Sequence, residues 1–207
     1  MPACLAMTEA LTPQLVVGLG NPGPAYASTR HNIGFWWVDR LAAQLGLTFA
    51  NEPRFFGEVA RSGSLRLLKP TTFMNRSGQA VAALARFFRI PPEAILVVHD
   101  ELDLPPGRAR LKFGGGVAGH NGLKDLCTQL GTERFWRLRL GIGHPGHRNE
   151  VAHYVLNAPS LPERQVLDQV VALTLTAWPS IAQGDWAAAQ RTVNGVALNY
   201  PAEESHL

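Results

Sequence analysis

Short apolar runs alternate with longer stretches of helical period along almost the whole chain, and this alternation limits the fold more than any other feature. Residues 15–19 are an apolar run that breaks at Gly20-Asn21-Pro22-Gly23, as a buried strand entering a turn does. Over residues 28–45, Ile33, Phe35, Trp36, Val38, Leu41, Ala42 and Leu45 recur at helical spacing, and Gly46 closes the segment. Residues 55–60 and 65–68 read as a hairpin around Ser62-Gly63-Ser64. A second amphipathic helix is expected over 75–88, stopped by Pro91-Pro92, and an apolar strand over 95–98 runs into His99-Asp100-Glu101. Residues 108–113 alternate basic and apolar side chains, as a half-exposed strand should. A glycine-rich loop follows at 114–119, then a helix at 121–130, a strand at 136–142 and a helix at 162–178. Strands interleaved with helices imply an α/β fold: a single domain with a central sheet covered by helices on both faces. The hairpin makes that sheet mixed rather than purely parallel.

Composition narrows the class. The 207 residues suffice for one domain with a real core, and 46% apolar against 17% charged residues reads as soluble and globular. No apolar run approaches the roughly 18 residues of a membrane helix, so no membrane partner is expected. Residues 1–13 lack the pattern of a secretion signal and read as a flexible N-terminal extension, 14–198 as the domain and 199–207 as a mobile tail. Cys4 and Cys127 have no CxxC spacing, which suggests a reducing compartment and no zinc site. Between Pro106 and Glu150, Arg108, Arg110, Lys112, Lys124, Arg134, Arg137, Arg139 and Arg148 face only three acids. Such a surplus suits a polyanion such as nucleic acid, and equally a solvated basic face.

Gly18, Gly20 and Gly23 mimic the dinucleotide fingerprint, but the turn does not open directly into a helix, and Asp39, at about the right distance, falls inside the first amphipathic segment. Three other segments gather polar groups beside glycines. They are Asn21-Pro22-Gly23 with Tyr26 and Arg30-His31-Asn32; Thr71-Thr72-Phe73-Met74-Asn75; and His99-Asp100-Glu101-Leu102-Asp103 with Gly119-His120-Asn121-Gly122. Asp100 follows a buried strand, where α/β sheets place their sites, and a histidine beside such a carboxylate becomes a better base. Each residue also has a plain structural reading: Asn21 shaping a turn, Asn75 and Asn121 capping helices, His31 merely satisfied on a helix, Asp100 capping or pairing with a surface base.

Together these segments, with Lys69-Pro70 before the second, Leu104-Pro105-Pro106-Gly107 and Arg137-Leu138-Arg139-Leu140-Gly141-Ile142-Gly143-His144-Pro145, resemble the bacterial-type peptidyl-tRNA hydrolases from residue 15 to beyond Tyr154. The resemblance implies a cytoplasmic, monomeric α/β enzyme without metal or organic cofactor. Such an enzyme hydrolyses the ester between a peptide, or an N-blocked aminoacyl group, and the terminal ribose of peptidyl-tRNA, and so recycles tRNA from stalled or aborted translation. It assigns His31 as catalytic and Asp100 as its orienting aspartate. Asn21, Tyr26, Phe73, Met74, Asn75 and Asn121 are assigned to the substrate cleft. Lys112 and Arg139 become a clamp on the tRNA 5′ phosphate, and Arg148 a further tRNA contact. The chain departs from the family at Val117 and Ala118, where a histidine and a glycine are usual, and at His153 and Tyr154 near the cleft lid.

In this reading His31 takes a proton from water attacking the ester carbonyl, and carboxamides stabilise the oxygen that turns negative. A serine nucleophile lacks its G-x-S-x-G elbow. A metal hydrolase would have to use His31, His99, His120, His144 and His147, whose spacing fits no familiar ligand pattern. The non-enzymatic alternative is an RNA-binding splicing partner of the same fold.

Overall fold

The computed structural model describes residues 11–200, so most of the expected N-terminal extension and of the tail lies outside the described residues. Seven strands form one sheet in the order β2-β3-β4-β1-β5-β7-β6. Its parallel heart is β1 (Leu15–Gly18), paired with β4 (Leu65–Pro70) on one side and β5 (Ile95–Glu101) on the other, with β7 (Trp136–Gly141) parallel to β5. The edges are antiparallel: β2 (Ala50–Glu52) and β3 (Gly57–Ser62) beside β4, and β6 (Ala109–Phe113) beside β7. The mixed sheet follows from the hairpin, whose register pairs Ser62 with Leu65 across a two-residue turn.

Period-two alternation splits the core into two layers. Val16, Leu96, Val98, Leu138 and Leu140 pack with α1 (Ile33–Gln44), α5 (Leu161–Leu175), α6 (Trp178–Ala182) and α7 (Trp186–Asn194). Leu15, Val17, Leu68 and Val97 pack with α2 (Ser77–Phe88) and α3 (Asn121–Leu130). Each such Leu or Val contributes about 1.5–3 kcal/mol when fully buried. No helix among the described residues is long and apolar enough to cross a membrane.

Several boundaries differ from the sequence expectation for local reasons. The first helix starts at Ile33 rather than 28, behind a 3-10 turn at Arg30–Asn32. The second ends at Arg89, in the left-handed conformation, before the prolines are reached. The expected helix over 162–178 is two helices: Thr174 Oγ1 bonds back to the Val170 carbonyl, and Pro179 has no N–H to carry the ladder onward. The strand β2 and the helices α4 (Val151–Val155) and α7 were not anticipated. A three-residue, largely exposed strand has no readable alternation. Helix α7 shields the outer edge of β6, where Leu111 N–H donates to Asn194 Oδ1 at 2.9 Å and Gln190 Nε2 donates to the Leu111 carbonyl at 3.1 Å.

The dinucleotide-like glycines are explained by packing. A Cβ on Gly18 would stand 2.4 Å from the Gly34 carbonyl oxygen, and one on Gly34 would stand 2.4 Å from that of Val98. Helix α1 thus lies directly on β1 and β5. Asp39, on α1, pairs instead with Lys69 at 2.8 Å. Gly34→Ala is expected to cost about 1–3 kcal/mol as overpacking, read as a lower urea midpoint. It should also lower activity in the folded fraction, because His31 sits only three residues upstream.

Candidate active site

The site grows from the carboxyl end of β5. All seven residues of that strand are buried, so His99-Asp100-Glu101 are delivered into the interior rather than to a loop. Asp100, 2% exposed, receives two imidazoles: His31 Nδ1 lies 2.8 Å from Oδ2, and His120 Nε2 lies 2.9 Å from Oδ1. An ionised carboxylate only accepts, so each facing ring nitrogen carries the proton. At His31 this leaves Nε2 with a free lone pair, the form a general base needs. At His120 the arrangement is reinforced, because Nδ1 accepts from Leu123 N–H at 3.3 Å as the N-cap of α3.

Burial by itself would lower the His31 pKa, but the charge of Asp100 and its hydrogen bond outweigh burial and hold it above the ordinary value. Burial would raise the Asp100 pKa, yet the two histidines press it well below the usual carboxylate range. His99 is different. Burial first, then the neighbouring His120, push its pKa down to about 3, so it is neutral at pH 7. Its Nδ1–H donates to the Asp100 carbonyl at 2.7 Å, and its Nε2 is buried without a partner.

The segment that carries His31 is braced on both sides. Arg30 makes a bidentate pair with Glu163, with Nε to Oε1 at 2.8 Å and Nη2 to Oε2 at 2.7 Å, which ties the 3-10 turn to α5. Asn32 closes on Asn21 in both directions: Asn21 N–H donates to Asn32 Oδ1 at 2.8 Å, and Asn32 Nδ2 donates to the Asn21 carbonyl at 2.9 Å. Asn21 Oδ1 accepts from Met74 N–H at 2.7 Å. That fixes the carboxamide with its NH₂ as the remaining group.

A cleft of about 560 Å³ opens over this centre, lined by His31, Asp100, His120, Asn121, His144 and Arg148 among others. Asn21, Tyr26, Phe73, Met74 and Asn75 are not in that wall; they belong to the loops after β1 and β4, on the other side of β5 from β7. Tyr26 and Phe73 meet edge to face at 6.2 Å between ring centroids, with Phe73 exposed. Met74 is a core residue, 4% exposed, against the first turn of α3, where a Cβ on Gly122 would fall 2.6 Å from its Sδ. Neither Asn75 nor Asn121 caps a helix: the cap of α3 is His120, and Arg76 precedes α2 without a side-chain bond.

The basic stretch divides by use. Arg108 and Arg110 donate to the backbone carbonyls of Leu198 and Asn194, and Arg134 pairs with Glu93. Lys112 and Arg139 share a pocket of about 60 Å³ with Arg137 and Glu101, and Arg139 Nε lies 3.0 Å from Glu101 Oε2. Arg148 stands apart from them, exposed on the main cleft. Sequence reasoning placed His120 and Asn32 in its polar segments without giving them a site role, and missed Glu163. The adjacency of His120 to Asn121 was a signal for the first, but Glu163 lies 133 residues from its partner and had none.

A histidine hydrogen-bonded to a buried carboxylate, at the carboxyl ends of parallel strands and open to a cleft, is an arrangement in an α/β protein that suits hydrolysis at a carbonyl. The model of the family described as peptidyl-tRNA hydrolase matches residues 15–201. A peptidyl-tRNA hydrolase of an Azoarcus species is 58% identical over 188 residues, covering 90% of this chain and 86% of the relative. One of Thiobacillus denitrificans is 55% identical over 193 residues, 93% of this chain and 96% of the relative. The crystal structure of peptidyl-tRNA hydrolase from Acinetobacter baumannii superposes with a TM-score of 0.87 at 45% identity, over 89% of this chain and 96% of that one. The chain belongs to the peptidyl-tRNA hydrolase family.

Proposed function

We propose that the chain hydrolyses the ester between the peptide, or an N-blocked aminoacyl group, and the terminal ribose of peptidyl-tRNA, recycling tRNA from stalled or aborted translation. The observation that carries the reading is the His31–Asp100 pair at 2.8 Å on the wall of an open cleft, in a chain of this family. His31 Nε2 takes a proton from water as it attacks the ester carbonyl. Asp100 holds the ring in the right tautomer and stabilises the imidazolium; the bond to the ribose oxygen then breaks, and that oxygen leaves with a proton. Carboxamides of Asn121, on the cleft wall, and of Asn21 and Asn75, outside that wall on the segments after β1 and β4, are the donors this reading assigns to the carbonyl oxygen and the peptide backbone. A charged α-ammonium in such a pocket would be desolvated without compensation, which favours peptidyl-tRNA over aminoacyl-tRNA. The same reading takes the enzyme to work as a cytoplasmic monomer without metal. His31, Asp100 and His120 do bring possible ligand atoms within 4.8 Å of one another. Their hydrogen bonds already account for that closeness. The test is release of an N-acetylated amino acid from tRNA by the purified protein, with and without a chelator. No release would overturn the reading in favour of RNA binding alone, and loss of activity to the chelator, restored by zinc, would overturn its metal-free part.

Lys112 and Arg139 form the proposed clamp on a terminal phosphate, which positions tRNA without reading bases. Lys112→Ala is expected to raise KM for the tRNA substrate, flatten its salt dependence by about one unit and leave kcat nearly unchanged. A short ester lacking the tRNA body should be insensitive; equal loss on both substrates would remove the clamp role. Arg139→Ala is the less clean probe, since it also strands the buried carboxylate of Glu101.

A further inference from the structure

The glycine-rich loop 114–119 separates two spaces, and Ala118 lines both: the catalytic cleft on one side and the basic pocket of Lys112 and Arg139 on the other. The backbone of this loop has little to hold it. Gly114, Gly115 and Gly119 are left-handed at φ +65°, +99° and +77°, Ala118 joins them at +46°, and the run Gly114-Gly115-Gly116 has no side chains to pack. Besides the Gly114 N–H bond to the Phe135 carbonyl at 2.9 Å and the packing of Val117 on the core, what fastens it is Arg137. This side chain, 3% exposed, donates from Nη1 to the Gly116 carbonyl at 2.7 Å and from Nη2 to the Gly115 carbonyl. Its place is set by the sheet: β7 puts it opposite Lys112 on β6 and two residues before Arg139. Its guanidinium lies 5.0 Å from the Phe135 ring, and no carboxylate among the described residues pairs with it. A buried cation is costly unless its hydrogen bonds are made; Arg137 Nε has no partner, so those to the two glycine carbonyls are the only hydrogen bonds its guanidinium makes among the described residues. At the far end of the loop, His120 N–H closes a turn on the Val117 carbonyl at 2.9 Å, and the His120 ring reaches Asp100.

We propose that Arg137 is a positioning residue: by holding the Gly115 and Gly116 carbonyls it sets the loop so that His120 meets Asp100 and Asn121 faces the cleft, joining the strands of the phosphate pocket to the catalytic centre. The inference rests on the hydrolase reading above. It differs from the clamp role of Lys112: Arg137 lines the same pocket but is 3% exposed, and its Nη1 and Nη2 are committed to the loop carbonyls.

Arg137→Gln and Arg137→Lys separate the possibilities, with Lys112→Ala as control, on an N-acetylaminoacyl-tRNA and on an N-acetylaminoacyl adenosine ester without the tRNA body. Rates are corrected for the folded fraction from urea titrations. With Gln, kcat should fall on both substrates by on the order of 10- to 100-fold, as misplacement of a site does. The salt slope of KM should stay at the wild-type value. Lys should recover part of the loss. The acidic limb of the pH–rate profile should move up, since an Asp100 with one donor fewer attracts a charged His31 more strongly. The His120 Nε2–H resonance, which needs no turnover, should vanish in Arg137→Gln and persist in Lys112→Ala. A flattened salt slope with normal kcat on the short ester would make Arg137 a phosphate contact and overturn the proposal. So would a persistent His120 resonance with rates that follow the folded fraction alone. If the wild type releases nothing from either substrate while the resonance behaves as expected, the hydrolase reading fails and the loop-positioning role stands.

Discussion

Replacing His31 with Ala is expected to lower turnover of peptidyl-tRNA by about 10²–10⁴-fold, the range of general-base catalysis. KM should change far less, because Lys112 and Arg139 occupy a different pocket from the cleft His31 lines. The substitution also removes one of two donors from a carboxylate that is 2% exposed. A stability loss of about 1–3 kcal/mol should therefore accompany it. His31→Gln, which can still donate toward Asp100, serves as the better-folded control and should be equally inactive. Single-turnover rates and KM for both variants decide the matter. A folded variant retaining more than about a tenth of the wild-type rate would exclude His31 as the base.

Asp100→Asn is expected to be nearly as damaging, and the reason lies in the two histidines rather than in charge alone. His120 must keep its proton on Nε2, because Nδ1 accepts from Leu123. It therefore claims the one oxygen of the new carboxamide. The NH₂ group then faces His31 Nδ1 and forces it to accept, moving the ring proton to Nε2, where the base lone pair is required. The wrong tautomer predominates, and a loss within the same 10²–10⁴-fold range follows. The residual activity should have its acidic limb at lower pH, since the anion that raises the His31 pKa is gone. In the wild type, activity rises with pH through a His31 pKa above about 6.5. The stability contributed by the pair runs the other way, present below the unfolded pKa and lost as pH rises through the folded one. Ring nitrogen chemical shifts of His31 in the variant report the tautomer directly. An unchanged limb together with an unprotonated Nε2 would show that the two residues do not interact as the geometry indicates.

The parts of the fold that were legible are those where one local pattern suffices. The buried run 15–18, the stretch 33–44 and the helix Asn121–Leu130 carry their period in their own residues, and the alternation of β6 shows in its basic and apolar side chains. Elements held by distant partners were not legible: β2 is mostly exposed, and α7 exists to cover β6. The split of α5 from α6 needed the Thr174 back-bond as well as Pro179.

The site divides in the same way. Residue types and their order in the chain determined by themselves the likeness to one family, because His31, Asp100 and the asparagines stand in short, distinctive segments. The tertiary structure alone decided how they are placed. It buried Asp100 between two histidines, drew His120 into the centre and turned Met74 into the core. It also spent Arg108, Arg110 and Arg137 on backbone carbonyls, while Lys112 stayed exposed beside a small pocket. The physical reason is that a charge or a tautomer takes its role from the partners the fold brings within about 3 Å, and those partners here come from strands and loops tens of residues apart.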